Sequence, residues 1–366
     1  MKKLSIIFSL VLVLGMLCGC AGTPVVYYTD CTCPVEAHQA PAAPAEPVIP
    51  LPDPTEGPAA AGSGLKTGLY VGANISDSVS ATAEADGTAK YDVTVVAVTV
   101  DDSGIIHDCR IDNVPASVTF DAAGVITSDL TAAIASKNEL GDAYGMRKAS
   151  SIGKEWNEQA AHIAAYAIGK NAAELNTIAV SASGEVDADL ASGATMYVGG
   201  FISAIQAAAG NARHLGAGAG DELRLAMMPG VAKSTSADTE NAGLSQLDMD
   251  VTALTLRDGV ITSCYIDSLQ AKINFDASGA ITTDLTAPVL TKNQLGEGYN
   301  MKAWGGAIAE WDAQAASFAA YVTGKTAAEV AGIAVDEGTK PTDADLMSSV
   351  TIAVGGFQAL IAKACQ

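Results

Sequence analysis

The sequence is poor in basic residues. Lys and Arg together number 20 against 41 Asp and Glu, so the formal net charge is −21. A chain this acidic repels nucleic acid and anionic lipid surfaces, which disfavours both as partners. The excess of carboxylates also promotes solubility, and this is the simpler explanation of the charge.

Sequence motifs for metals and nucleotides are missing as well. Seven cysteines are present, but no CxxC pair and no CxxCH occurs, which disfavours zinc ribbons and c-type haem. The Gly-rich stretch Gly216–Gly220 lacks the Lys-Ser/Thr pair that a P-loop requires. No Ser/His/Asp set and no His/Asp cluster stands out, so the sequence assigns no catalytic or metal-binding residue.

The N terminus has the form of an export signal. Two lysines precede an apolar run, Leu4–Leu17, that is too short to span a bilayer comfortably. The run ends in Leu17-Cys18-Gly19-Cys20, which resembles the lipobox of bacterial lipoproteins. The resemblance implies a signal peptide over 1–19 and acylation of Cys20, and two or three acyl chains anchor a protein stably. An ordinary secreted protein cleaved nearby is the alternative.

A Pro-rich tether follows over 20–64. Eight of the thirteen prolines lie between Pro34 and Pro58, and such a stretch favours extended polyproline II over a folded core. Cys31 and Cys33 lie in this tether, where a disulfide between them would close a strained ring.

The rest of the chain contains one pattern twice. Cys109 recurs as Cys264 at an offset of 155, and so do many of the residues around them. A unit of about 150 residues has the size of a domain, and each copy is large enough to bury a core. The predicted ranges are 65–212 for the first domain, 213–229 for the linker and 230–366 for the second domain.

Each copy begins with strand-like sequence and continues with helical sequence. Tyr91–Val100 is rich in Val and Thr, and Asp258-Gly259 is a strong hairpin signal in the second copy. Apolar residues spaced as on one helix face predict Trp156 and Trp311 in the core, with the preceding glutamates outside. The pattern predicts an α+β fold: two tandem homologous domains, each an antiparallel sheet packed with helices.

A short motif near the end of each copy carries the functional argument. The first copy reads Asp189-x-x-Ser192-Gly193-Ala194-Thr195, and the sequence predicts a helix over 195–209 with Thr195 in its first turn. A hydroxyl in the first turn of a helix lies near free N–H groups, which favour a phosphate. Asp, Ser and Thr at this place are also ordinary N-cap residues, which is the alternative reading.

The motif matches the Asp-x-x-(Ser/Thr)-Gly-Ala-Thr signature of covalent flavinylation, in which FMN is joined to threonine through a phosphoester. Together with the lipobox and the tether, it makes nearly the whole chain resemble the extracellular electron-transfer flavoprotein lipoproteins of Gram-positive bacteria. The resemblance implies a non-enzymatic electron carrier on the extracytoplasmic face of the cell membrane, carrying up to two covalent FMN. It implies three partners: an FAD-dependent FMN transferase, a quinone-linked membrane donor, and an external acceptor such as ferric iron or soluble flavin.

The resemblance assigns roles residue by residue. Thr195 would carry FMN, and Asp189 would serve the transfer reaction, because carboxylates suit Mg²⁺. The small residues Ser192, Gly193 and Ala194 would let the backbone approach the phosphate. The second copy keeps the aspartate, serine and threonine but replaces the Gly-Ala pair, which makes close approach harder there. Its residues are Asp345, Ser348, Ser349, Val350 and Thr351.

Two further points stay open at the level of sequence. The turns Tyr144-Gly-Met146 and Tyr299-Asn-Met301 have side chains that can flank a flat ring or pack in the core. A pair of domains on a stalk also suits a cofactor-free surface binding or adhesion lipoprotein. Such a protein would be colourless even when the transferase is supplied.

Overall fold

Three long antiparallel strands begin each half of the folded chain. The computed structural model describes residues 64–178 and 188–366. The leader, Cys20 and all of the predicted tether except Gly64 lie outside the described residues. The first half, 64–210, and the second half, 222–366, are joined by the short connection 211–221.

Each half has its own sheet, with the strands in chain order. The first sheet consists of β1 (Lys66–Asn74), β2 (Gly87–Val100) and β3 (Ile106–Phe120). The second consists of β4 (Glu222–Gly230), β5 (Gly243–Arg257) and β6 (Val260–Phe275). Neighbouring strands are antiparallel throughout, and the predicted α+β class is confirmed.

Two of these strands differ from the sequence prediction. Strand β1 was not predicted, and β4 begins at Glu222, inside the segment predicted as the linker 213–229. The glycines before β4 suggest a linker, but the apolar alternation of Leu223, Leu225 and Met227 matches the two-residue period of a strand. The connection between the halves is therefore shorter than expected.

Short helices follow the strands in both halves. The helices of the first half are α1 (Lys137–Leu140), α2 (Trp156–Ala167), α3 (Ala172–Ile178), α4 (Ala188–Gly193) and α5 (Val198–Gly210). Those of the second half are α6 (Lys292–Leu295), α7 (Met301–Gly305), α8 (Trp311–Val322), α9 (Ala327–Ala331), α10 (Ala344–Met347) and α11 (Gly355–Ala364). The sequence Thr326-Ala-Ala-Glu329 is typical of a capping box, and the structure has that capping box at the start of α9. Trp156 and Trp311 are buried, as predicted.

The central strands are apolar on both faces because each sheet is covered on both sides. Val93 and Val95 of β2 lie in a core shared with the second sheet, whereas Val96 and Val98 lie under the helices of the first half. The layers are thus helices, sheet, sheet and helices. The two halves share their central core, and all the described residues belong to one compact unit.

Contacts between the sheets come in reciprocal pairs. Phe120 and Phe275, the last residues of β3 and β6, stack with ring centres 4.0 Å apart and planes 1° apart. The N–H of Ala81 donates to the carbonyl of Gly279, and the N–H of Ala237 donates to the carbonyl of Gly124, each at 2.8 Å. These residues are equivalent in the two sequence copies, so the halves face each other as the subunits of a twofold dimer do.

Among the helices described, none is both long and apolar enough to cross a membrane.

Candidate functional site

The two motif threonines lie in the connections before the last helices. Thr195 is between α4 and α5, three residues before Val198, and Thr351 is between α10 and α11, four residues before Gly355. The prediction that Thr195 occupies the first turn of a helix is therefore wrong. The side chain of Gln159 accepts a hydrogen bond from the Thr195 N–H, and α5 begins three residues later at Val198.

A buried glutamine holds each threonine. In the first half, Gln159 of α2 accepts hydrogen bonds on Oε1 from the Thr195 N–H at 2.8 Å and from its hydroxyl at 3.2 Å. In the second half, Gln314 of α8 accepts from the Thr351 N–H at 2.8 Å and from its hydroxyl at 3.1 Å. Both glutamines are completely buried. The same arrangement of threonine and glutamine thus occurs in both halves.

The amide nitrogen of each glutamine binds the loop that precedes its helix. Gln159 Nε2 donates to the carbonyl of Lys154 at 3.1 Å and lies 3.9 Å from the sulfur of Met146. Gln314 Nε2 donates to the carbonyl of Ala309 at 2.8 Å and lies 3.7 Å from the sulfur of Met301. The glutamines therefore bring the Tyr-x-Met turns next to the threonines.

The threonine hydroxyls are oriented and at least partly accessible. Thr195 is exposed and Thr351 is half-buried. Each hydroxyl donates its hydrogen to a glutamine oxygen, which leaves the lone pairs of Oγ1 available. The backbone hydrogen bond to the same oxygen fixes the threonine main chain. The arrangement holds each threonine hydroxyl in one orientation.

The residue before each threonine packs inward. Ala194 and Val350 are buried in the cores beneath the helices of their halves. These side chains belong to the core, and the expectation that a small residue here lets the backbone approach a phosphate stays a prediction. The Ala-to-Val difference between the copies is a change in packing.

The rest of the motif lies in or directly after the short helices that precede the threonines. Asp189 is in α4 and Asp345 is in α10. Ser192 and Ser348 are exposed, and the Ser348 hydroxyl donates to the carbonyl of Asp345 at 2.7 Å. The Asp345 side chain is exposed as well, one helical turn or more before Thr351.

Gly193 has a packing role that the sequence did not indicate. A Cβ atom at this position would lie 2.2 Å from ring atoms of His162 on α2, closer than side chains tolerate. In the second half, Ser349 replaces this glycine, and the small Ser317 stands where His162 would be. The larger residue at 349 thus accompanies a smaller residue at 317, which is the direction expected if the two positions compensate for each other.

We expect Gly193→Ala to lower the free energy of unfolding by about 1–3 kcal/mol, because it overpacks the contact with His162. Adding His162→Ser should recover most of that loss. Denaturant unfolding of the wild type, both single variants and the double variant gives the coupling energy between the two positions. Ser349→Ala is the matched control and should be nearly neutral. Additive costs in the double variant would contradict the compensation.

Near each site, a lysine lies between two aromatic rings. The Lys137 ammonium is 5.3 Å from the ring centres of both Tyr144 and Trp156. The Lys292 ammonium is 5.2 Å from the ring centre of Tyr299 and 4.7 Å from that of Trp311. The repeated Lys-Asn-x-Leu-Gly sequence signals these lysines, but spacing alone assigned them no role. Cation–π contacts of this kind favour a fixed ammonium.

Buried aspartates fix the short helices that carry the lysines. Asp112 accepts from the hydroxyl of Ser136 at 2.7 Å, and Ser136 caps α1. Asp267 accepts from the Asn293 N–H at 3.1 Å, next to Lys292 in α6. Burial raises the pKa of both carboxyls, that of Asp267 to about 6, although these hydrogen bonds oppose the shift.

The glutamates before the two tryptophans differ from the prediction that they face outward. Glu155 is buried and accepts from the Met146 N–H at 2.8 Å and the Arg147 N–H at 2.9 Å. Glu310 is half-buried and accepts from the Met301 N–H at 2.8 Å. The tight turn leaves these N–H groups without backbone partners, and the carboxylates bind them. The glutamates thereby hold the Tyr-x-Met turns.

Each half therefore combines an oriented threonine hydroxyl, a buried glutamine, a Tyr-x-Met turn and a lysine held between aromatic rings. Comparison of the chain with protein-family models, with curated proteins and with solved structures finds no match.

Proposed function

We propose that the protein is an electron carrier with FMN joined covalently to Thr195 and Thr351 through phosphoesters. The observation that carries the proposal is the buried glutamine that orients each threonine hydroxyl, at 3.2 Å in the first half and 3.1 Å in the second. An ordinary N-cap threonine would bond to its own helix instead. Neither threonine does so here.

The residues present fit such an attachment. Transfer from FAD forms a bond between threonine Oγ1 and the FMN phosphorus, breaks the pyrophosphate bond, and releases AMP and the hydroxyl proton. The glutamine oxygen accepts the hydrogen of that hydroxyl, while the lone pairs remain open to the phosphorus. The bound flavin supplies one- or two-electron chemistry, and the protein supplies attachment and environment. Asp189 and Asp345, in the helices just before the threonines, are the carboxylates proposed to serve the transferase with Mg²⁺.

The same proposal includes the cellular setting. The two halves are two homologous FMN-binding domains, and acylated Cys20 anchors them through the tether on the extracytoplasmic face. Electrons pass from a quinone-linked membrane donor to an acceptor such as ferric iron or soluble flavin. The lipobox and the repeated site support this setting, because a covalent bond keeps the cofactor from diffusing away outside the cell.

The test is the intact mass of protein produced with and without the FMN transferase. We expect the wild type to gain two FMN residues, and Thr195→Val and Thr351→Val to gain one each. The double variant should gain none, and flavin absorbance should follow the mass. Valine has the shape of threonine without the hydroxyl, so the fold is retained.

A wild-type protein that stays at its unmodified mass with active transferase would refute the covalent attachment. Increments that persist in the double variant would place the flavin elsewhere. A colourless protein under all conditions would favour the cofactor-free binding or adhesion lipoprotein.

A further inference from the structure

A cavity of about 240 Å³ opens beside Lys292 in the second half. Its lining combines cationic, amide, aromatic and apolar side chains. These are Gln270, Lys272, Leu290, Lys292, Leu295 and Tyr299. The presence of two lysines in one cavity is notable in a chain with a formal net charge of −21.

The ammonium group of Lys292 has N–H donors that can bind a ligand. Among the described residues, no carboxylate lies within ion-pair distance of its ammonium, which is held by the rings of Trp311 and Tyr299. Burial lowers the pKa of Lys292, although the charges of Asp250 and Asp248 oppose that shift. A desolvated ammonium at the wall of a cavity favours a negatively charged ligand group.

The other polar groups of the cavity are fixed. Gln270 Nε2 donates to Asp248 at 3.0 Å, and the Tyr299 hydroxyl donates to Gln270 Oε1 at 3.3 Å. Asp248 also pairs with Lys233 at 2.9 Å, so its charge is already compensated. A flat tyrosine, an oriented amide and a free ammonium suit a planar ring with a carbonyl edge that becomes negative.

A chain of contacts leads from this cavity to Thr351. The Thr351 hydroxyl is bound to Gln314, whose amide nitrogen lies 3.7 Å from the sulfur of Met301. Met301 and Tyr299 belong to the same turn, Tyr299-Asn-Met301. In addition, Trp311 and Gln314 are three residues apart on α8 and share one face of it.

We propose that this cavity receives the redox-active ring of the cofactor on Thr351, and that Lys292 stabilises the negative charge that the ring gains on reduction. The inference rests on the proposed function and adds the place and electrostatic control of the ring. Two electrons and one proton convert the oxidised ring into its anionic reduced form; the donor supplies the electrons, and water supplies the proton. The ammonium favours the reduced form and raises the reduction potential.

The first half does not have the amide and the second lysine that line this cavity. Pro115 and Ser117 stand at the positions of Gln270 and Lys272. The Lys137 ammonium lies 3.9 Å from Asp92, which offsets its charge. The charged groups around the two sites therefore differ, since the second half has Lys272 and Asp250 where the first half has Ser117 and Thr94, and we expect the two attached rings to differ in potential.

The test measures the midpoint potential of one flavin at a time. In a Thr195→Val background, only the second half carries FMN. Lys292→Met should weaken two-electron reduction at least tenfold, which lowers the potential by about 30 mV. Lys292→Arg keeps the charge and should recover most of the shift. Lys302→Met removes an exposed lysine of the same region and should leave the potential almost unchanged.

Mass spectrometry precedes each potential measurement and separates the two hypotheses. Absence of the FMN increment refutes the proposed function. A loaded Lys292→Met protein with an unchanged potential overturns the role of Lys292. A shift of the same size in Lys302→Met also overturns it, because the effect would then be general charge. Lys292→Gln provides a second neutral variant if the methionine protein does not fold.

Discussion

Replacing Phe275 by Ala is expected to lower the free energy of unfolding by about 3–5 kcal/mol, the usual cost of emptying a buried phenylalanine site. Phe275 is completely buried at the end of β6, and its ring stacks on that of Phe120. The lost area belongs to the core that both sheets share. We therefore expect the whole folded unit to unfold in one transition at lower denaturant or temperature, with both halves affected.

Scanning calorimetry distinguishes this outcome from the unfolding of independent domains. One peak with equal calorimetric and van't Hoff enthalpies indicates a single cooperative unit. Phe318→Ala is the matched control, since Phe318 is equally buried but lies under the helices of the second half alone. If Phe275→Ala splits the transition and leaves one peak at the wild-type temperature, the shared core does not couple the halves.

Replacing Gln314 by Leu is expected to slow FMN transfer to Thr351 by tenfold or more. The N–H groups of Thr351 and Ile352 both donate to Gln314 Oε1, at 2.8 Å and 3.2 Å, and leucine offers them no acceptor. The threonine then loses its fixed orientation, and small misplacements of a reacting group cost rates of this order or more. The initial rate of mass gain with purified transferase, in a Thr195→Val background, measures the effect.

Gln358→Leu is the control for general destabilisation. Gln358 of α11 donates to the carbonyls of Val330 and Ile333, at 2.9 Å and 3.0 Å, and makes no hydrogen bond to Thr351. It loses comparable side-chain hydrogen bonds without releasing the threonine. We expect its transfer rate to stay within about twofold of the parent; equal slowing in the two variants would mean that the glutamine acts only through stability.

Local signals in the sequence predicted local structure well. The hairpin dipeptide Asp258-Gly259 does turn the chain between β5 and β6, and both residues have positive φ. The capping box at Thr326 begins α9. These features depend on residues a few positions apart, so spacing alone is sufficient to find them.

The missed features depend on tertiary contacts that no local sequence pattern shows. Gln159 and Thr195 are separated by 36 positions, and no period or short motif connects them. The Val- and Thr-rich sequence of Tyr91–Val100 indicated a strand but not what covers each of its faces. Helices and a second sheet look alike from the strand itself. The burial of Glu155 follows from unpaired N–H groups of a turn, which sequence patterns do not show.

Ala81 pairs with Gly279, and Ala237 pairs reciprocally with Gly124, within a single chain. The pairing of the two halves therefore does not depend on protein concentration. Separate subunits with such an interface would dissociate at low concentration. Here the connection 211–221 keeps the partners at an effective concentration of about millimolar, a level typical of short flexible links. The two halves of each molecule therefore stay assembled even at very low protein concentration. Each half can also acquire substitutions that its partner does not share, as Ser349 and Ser317 illustrate.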